Sequence, residues 1–218
     1  MVKVERTLQR TRSMTATENQ QRNSTKRRRP RERILEAAPE VLREAGLVRF
    51  GLVEVARAAQ VSRQTIYNHF ASRDDLLAEL FVQQMRSAHV PLLAKFADEE
   101  PSAESFIEIM LTELAVGRTF PLFEDLLSPV TAPRIAELIF HSPAVAATRE
   151  ELWMPILERY RDAGLLRESL DLPEAVRWIT YQQFWLVTYP DTMCPGDDQS
   201  VAHVIRTYLL PGLLADVN

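Results

Sequence analysis

Along most of this chain, apolar residues return every three or four positions and almost never alternate strictly. That spacing places them on one side of a helix and leaves no face for a sheet. Ile34, Ala37, Ala38, Val41, Leu42 and Ala45 form one such stripe. Trp153, Ile156, Leu157 and Tyr160 form another, running on to Gly164, and Val201, Val204, Ile205, Tyr208 and Leu209 a third. Punctuation agrees with the period. The chain has only 6 glycines, and of its 13 prolines Pro101, Pro121, Pro133, Pro143 and Pro173 stand at or near segment starts, where a helix tolerates them. The expected fold is all-α, with no internal repeat. Helices are predicted over 31–45, 52–59, 63–69 and from Asp74 to about Pro91 or beyond. Further helices are predicted near 102–117, 120–127, 132–140, 144–163, 173–188 and 198–210. Pro39 lies well inside the first of these, so a kink or a late start is expected there.

A chain of 218 residues buries a core without staples, and its lone cysteine, Cys194, can form neither an internal disulfide nor a zinc site. This fits a reducing compartment, and the expected location is cytoplasmic. No apolar run approaches the roughly 20 residues that span a bilayer, and no secretory leader is visible. The four histidines show no metal-ligand spacing, and no glycine loop could cradle phosphate. No cofactor, metal or catalytic residue is expected, and the chain is not read as an enzyme. The net charge of −4 hides a gradient: residues 1–30 carry +7, residues 31–73 carry +2, and residues 74–218 carry −13. A basic front on an acidic body implies a polyanion partner at one end. Residues 1–30 are too polar to offset chain entropy and read as a disordered arm ending in Lys26, Arg27, Arg28 and Arg29. That run is either a solvated face or a contact to a groove or phosphates.

The stretch from Val55 to Phe70 has helix-turn-helix form. Small Ala56 and Ala59 let two short helices approach, Val61 plugs the turn, and Ser62 caps the second helix. Ile66 and Phe70 face inward. Arg63, Gln64, Thr65, Tyr67, Asn68 and His69 make a polar face that donates and accepts with little negative charge. Such a helix can enter a major groove. Ser72 caps the next helix, with Asp74 and Asp75 in its first turn.

Residues 31–80 resemble the TetR-type (tetracycline-repressor-like) regulators. The resemblance rests on Arg33-Ile34-Leu35-Glu36-Ala37-Ala38, on Val55-Ala56…Ala59-Gln60-Val61-Ser62, on Thr65-Ile66-Tyr67-Asn68-His69-Phe70, and on Ser72-Arg73-Asp74-Asp75-Leu76-Leu77. Gln60 stands where that family usually has glycine, Gly51 where it has a hydroxyl residue, and Pro39 is unusual. The resemblance implies a headpiece over 31–78 and a helical ligand-binding and dimerisation domain over 79–218. It implies phosphate contacts at Tyr67, His69 and Arg73, and base readout by Arg63, Gln64, Thr65 and Asn68. The implied partners are a palindromic double-stranded operator, a second copy of the chain and a small-molecule effector, with no membrane. Tyr67 packing at a helix edge and His69 as a satisfied, half-buried histidine are the alternatives.

In the body, the helix 173–188 is apolar on two sides. Ala175, Val176, Ile179, Leu186 and Val187 make one, and Trp178, Tyr181 and Trp185 the other, with Phe184 between. Two apolar sides need two partners, one being the same helix of a second subunit. The family's four-helix dimer contact would use 144–163 with 173–188 or with 198–210. Candidate pocket residues are Phe106, Met110, Phe120, Phe123, Trp153, Tyr181, Phe184 and Trp185, each of which plain core packing would equally explain. The guest would be largely apolar. The expected function is a dimeric DNA-binding transcriptional regulator, a repressor released by that ligand. The alternatives are a ligand-independent architectural DNA binder and an enzyme with an incidental motif.

Overall fold

The computed structural model describes residues 29–119, 130–189 and 197–215. Lys26, Arg27, Arg28, Phe120, Phe123, Cys194 and the helix predicted over 120–127 lie outside them. The described residues are helical, joined by short turns, with no strand among them. The headpiece comprises α1 (Pro30–Arg49), α2 (Leu52–Ala58), α3 (Arg63–His69) and the start of α4 (Arg73–Phe96). The body adds α5 (Ala103–Arg118), α6 (Ala132–His141), α7 (Pro143–Asp162) and α8 (Leu172–Thr188). It ends in α9 (Asp198–Val204), a π-helical turn (Ile205–Leu209) and α10 (Leu210–Leu213).

Local chemistry sets most of these ends. Ser62, Ser72, Ser102, Ser142, Asp171 and Asp197 each accept a hydrogen bond from a first-turn backbone N–H. Helical geometry in α1 begins at Pro30 and runs through Pro39. The break comes at Gly46, whose φ of 68° is readily reached by glycine. Thus Pro39 does not delay the helix. After α7, Gly164 (φ 73°) closes a Schellman turn, its N–H bonding Arg161 O and the next N–H bonding Tyr160 O.

α2 ends in the same motif without glycine. Gln60 takes φ 54°, its N–H donates to Arg57 O, and the Val61 N–H donates to Ala56 O. This backbone geometry is the physical reason for a glycine preference at the position. Gln60→Gly is expected to stabilise the headpiece by about 1 kcal/mol, because relief of the left-handed strain outweighs the extra freedom of the unfolded chain. Urea midpoints of the two proteins check this; an unchanged or lower midpoint counts against it.

In the body, α4, α5, α8 and α7 pack in a ring, each against the next, and α4 closes on α7. One apolar core continues from Ile34 and Phe50 in the headpiece to Ile205 and Leu213. α4 belongs to both ends, so residue 78 falls inside a continuous helix. One predicted stripe is corrected. Val201, Ile205 and Leu209 are buried, but Tyr208 is 72% exposed. The π turn widens the helix by a residue and rotates Tyr208 off the buried face.

Candidate nucleic-acid interface and body cavity

α3 is held by its cap below and its core residues behind. Ser62 Oγ accepts from Thr65 N at 3.0 Å and lies 2.8 Å from Thr65 Oγ1. Ile66 and Phe70 are buried, which turns Arg63, Gln64, Tyr67, Asn68 and His69 to solvent. Tyr67 is 51% exposed, so it does not pack away at the helix edge, and His69 is exposed rather than half-buried. Gln64 Nε2 donates to Asn68 Oδ1 at 2.9 Å. That bond orients two amides on one face and leaves the Gln64 oxygen and the Asn68 nitrogen available to base edges. Thr65 is only partly exposed, and its hydroxyl is engaged with the cap. The guanidinium of Arg73 donates to Leu47 O, tying the start of α4 to the end of α1. The structure therefore gives Arg73 a positioning task inside the headpiece. Gly51, the N-cap of α2, offers no side-chain bond to the first turn.

One headpiece residue escaped sequence reasoning. Arg33 Nη2 donates to Ala59 O at 2.6 Å and to Gln60 O at 2.7 Å, clamping the strained turn from α1. Nothing in a local reading signals a bond across 26 residues. Arg33→Ala is expected to cost about 2 kcal/mol of headpiece stability, the scale of a charge-assisted bond to backbone. Amide exchange in α2 and α3 should then quicken about thirtyfold; unchanged rates there would show the clamp to be idle.

Between α4, α5, α6, α7 and α8 lies a cavity of about 160 Å³. Its wall is mostly apolar and includes Phe81, Met85, Leu152, Trp153, Phe184 and Val187. The polar groups are few. His89 Nδ1 lies 2.5 Å from Glu113 Oε1, and Gln183 Nε2 donates to Glu113 Oε2 at 2.7 Å. Arg149 also lines the cavity and is only 8% exposed. Burial pushes its pKa below the ordinary guanidinium value, opposed by the nearby Tyr181 and Glu150. No group of histidine, cysteine and acidic side chains among the described residues could hold a metal ion. Nor is any described helix long and apolar enough to cross a membrane.

Residues 34–80 match the family described as bacterial regulatory proteins, tetR family. The likeness to that family thus lies in the helix-turn-helix end of the chain, residues 34–80. Over 116 residues it is 28% identical to an uncharacterised HTH-type transcriptional regulator of Mycobacterium tuberculosis, covering 53% of this chain and 57% of that one. The match thus spans little more than half of that relative's length. The HTH-type transcriptional regulator AqdR of Rhodococcus erythropolis is 28% identical over 158 residues, covering 69% of this chain and 70% of its own. Among solved structures, RolR in complex with resorcinol shares the fold with a TM-score of 0.61 at 18% identity, over 86% of this chain and 88% of that one.

The predicted pocket residues divide. Trp153 and Phe184 line the cavity. Phe106 and Met110 do not. Both are fully buried core, and the Phe106 ring lies 5.9 Å from Trp153 and 5.5 Å from Tyr160. Tyr181 and Trp185 are 44% and 47% exposed on the outer face of α8. Thr180, Gln183, Phe184 and Val187 turn toward the cavity instead, as the helical period requires. The sequence reading missed His89, Glu113, Arg149 and Gln183. A signal existed for Arg149: it sits in register with buried Val145, Leu152, Trp153 and Ile156, a charge within an apolar stripe.

Proposed function

We propose that this chain is a TetR-family member: a dimeric, sequence-specific DNA-binding transcriptional regulator, a repressor released from a palindromic operator by a small, largely apolar ligand. The observation that carries this is α3: a serine-capped helix whose buried side is fixed and whose exposed side is polar apart from the Tyr67 ring, itself tipped by a hydroxyl. In this reading Arg63, Gln64 and Asn68 read base edges, with Thr65 reinforcing the cap. Tyr67 and His69 bind phosphates, and Lys26 to Arg29 add backbone contacts from the basic arm. Residues 31–78 serve as headpiece and 79–218 as the effector and dimer domain. Its work is binding rather than catalysis, in the cytoplasm where bacterial DNA lies.

Two copies would pair through α8, whose Trp178, Tyr181 and Trp185 face outward. Two recognition helices about 34 Å apart then read half-sites one turn apart. α4 supplies the coupling. Its first turn abuts α1, while Phe81, Met85 and His89 further along it line the cavity. Arg134 on α6 bonds both Asp74 oxygens, at 2.7 and 2.8 Å, beside that first turn. A ligand that binds one arrangement of α4 more tightly shifts headpiece spacing and breaks register on the operator. The cavity favours this reading over a ligand-independent architectural role.

The test separates the two kinds of contact on a cognate site selected from random duplexes. Tyr67→Ala should weaken binding about tenfold on cognate and scrambled DNA alike. Gln64→Ala should chiefly narrow the gap between them, by about 1–3 kcal/mol. Equal losses on every duplex for both variants would refute the assignment. No preference of the intact chain for any duplex would remove the regulator reading.

A further inference from the structure

The cavity holds a charge that makes no ion pair with any described residue, although Glu150 lies near enough to act on it. Arg149 lies on the second turn of α7, and its Nε and Nη1 atoms are buried with no hydrogen-bond partner. A guanidinium stays ionised in proteins, and a buried, unpaired cation is costly. The Phe140 ring lies 5.9 Å from its carbon, a weak substitute for a carboxylate. The cavity's own carboxylate cannot serve. Both oxygens of Glu113 are taken, one by His89 and the other by Gln183. Among its described residues the wall therefore offers one planar cation, a large apolar surface and one more buried, unsatisfied polar atom, His89 Nε2, with the Gln84 amide nearby.

We propose that the cavity binds a small carboxylic acid with an apolar body, its carboxylate seated on Arg149. This rests on the reading of the cavity as the effector site. A guanidinium fork matches a carboxylate in shape and charge. A phosphate dianion fits less well, because the described lining residues include no second arginine or lysine and already contain Glu113. The volume of about 160 Å³ compares with apolar cavities that take a benzene ring, so the body is one ring or a short chain.

The probes are 3-phenylpropionate and hexanoate, each against its primary amide, titrated calorimetrically into the full-length chain. At least one acid should bind about tenfold more tightly than its amide, the gain from a charge-assisted pair. Arg149→Met should bring that ratio near one while the amide still binds, and Arg149→Lys should retain part of it. Equal binding of acid and amide to the unaltered chain overturns the proposal, with no variant required. A ratio unchanged in Arg149→Met overturns it too, as does the absence of binding by either acid at millimolar concentration. Duplex affinity is measured separately. An acid that binds through Arg149 without changing it removes the effector role and keeps the carboxylate site. A chain that ignores DNA removes the regulator reading and leaves the acid-to-amide ratio intact.

Discussion

A chain carrying Trp178→Glu and Trp185→Glu together is expected to sediment as a monomer at micromolar concentration and to lose operator affinity by at least about a hundredfold. Ala175, Val176 and Ile179 commit the other side of α8 to its own core. Trp178, Tyr181 and Trp185 remain 46%, 44% and 47% exposed, an aromatic surface of the kind that carries interface energy. Two of the three rings are already held by neighbours: Phe140 stacks on Tyr181 at 4.3 Å, and Trp185 lies 4.9 Å from Tyr189. Ordered rings lose little further freedom on association. Two glutamates at the centre of a twofold contact face their own images, so the repulsion is doubled. The affinity loss follows because a second headpiece on the same particle acts at high effective concentration. Both substitutions are at exposed positions, so helix content should be unchanged. A wild-type monomer, or a double variant that remains a dimer, would place the contact elsewhere.

The second large effect is on stability. Phe106→Ala should cost about 3–5 kcal/mol, the range for removing a fully buried aromatic ring. The ring is 0% exposed between Trp153 and Tyr160. Next to it, Ser105 Oγ lies 2.6 Å from the Tyr160 hydroxyl, which donates to Ser102 O at 3.0 Å. Losing the ring therefore loosens both the α5–α7 packing and the bonded pair beside the α5 cap. Tyr160→Phe removes only those bonds and should cost about 1–2 kcal/mol. Urea unfolding followed by tryptophan fluorescence compares the two. A smaller loss for Phe106→Ala than for Tyr160→Phe would mean that polar contacts, and not packing, hold α5 to α7.

The headpiece was legible because its determinants are local. Ser62 acts on a residue three positions away, and Ile66 and Phe70 face inward by period alone. Gly46 and Gly164 end helices through their own backbone freedom. The cavity was barely legible. Aromatic residues at helical spacing suit a core or a pocket equally, and two of the predicted lining residues, Phe106 and Met110, proved to be core. Tyr181 and Trp185 went to the outside because α8 has two apolar sides and only packing selects the inner one. Tyr208 left its predicted stripe because a π turn changes the period within a helix.

By itself, then, the order of residues determined an all-helical chain, the starts and stops of most helices, and a polar recognition face, since each depends on contacts within a turn or two. Only the folded ring of helices decided that Arg33 would brace a turn 26 residues away, that Glu113 would be used up by His89 and Gln183, and that Arg149 would be left at a cavity with no ion pair to any described residue. Those outcomes depend on which faces of distant helices meet, and burial gives them their energy by removing the water that would otherwise solvate each charge.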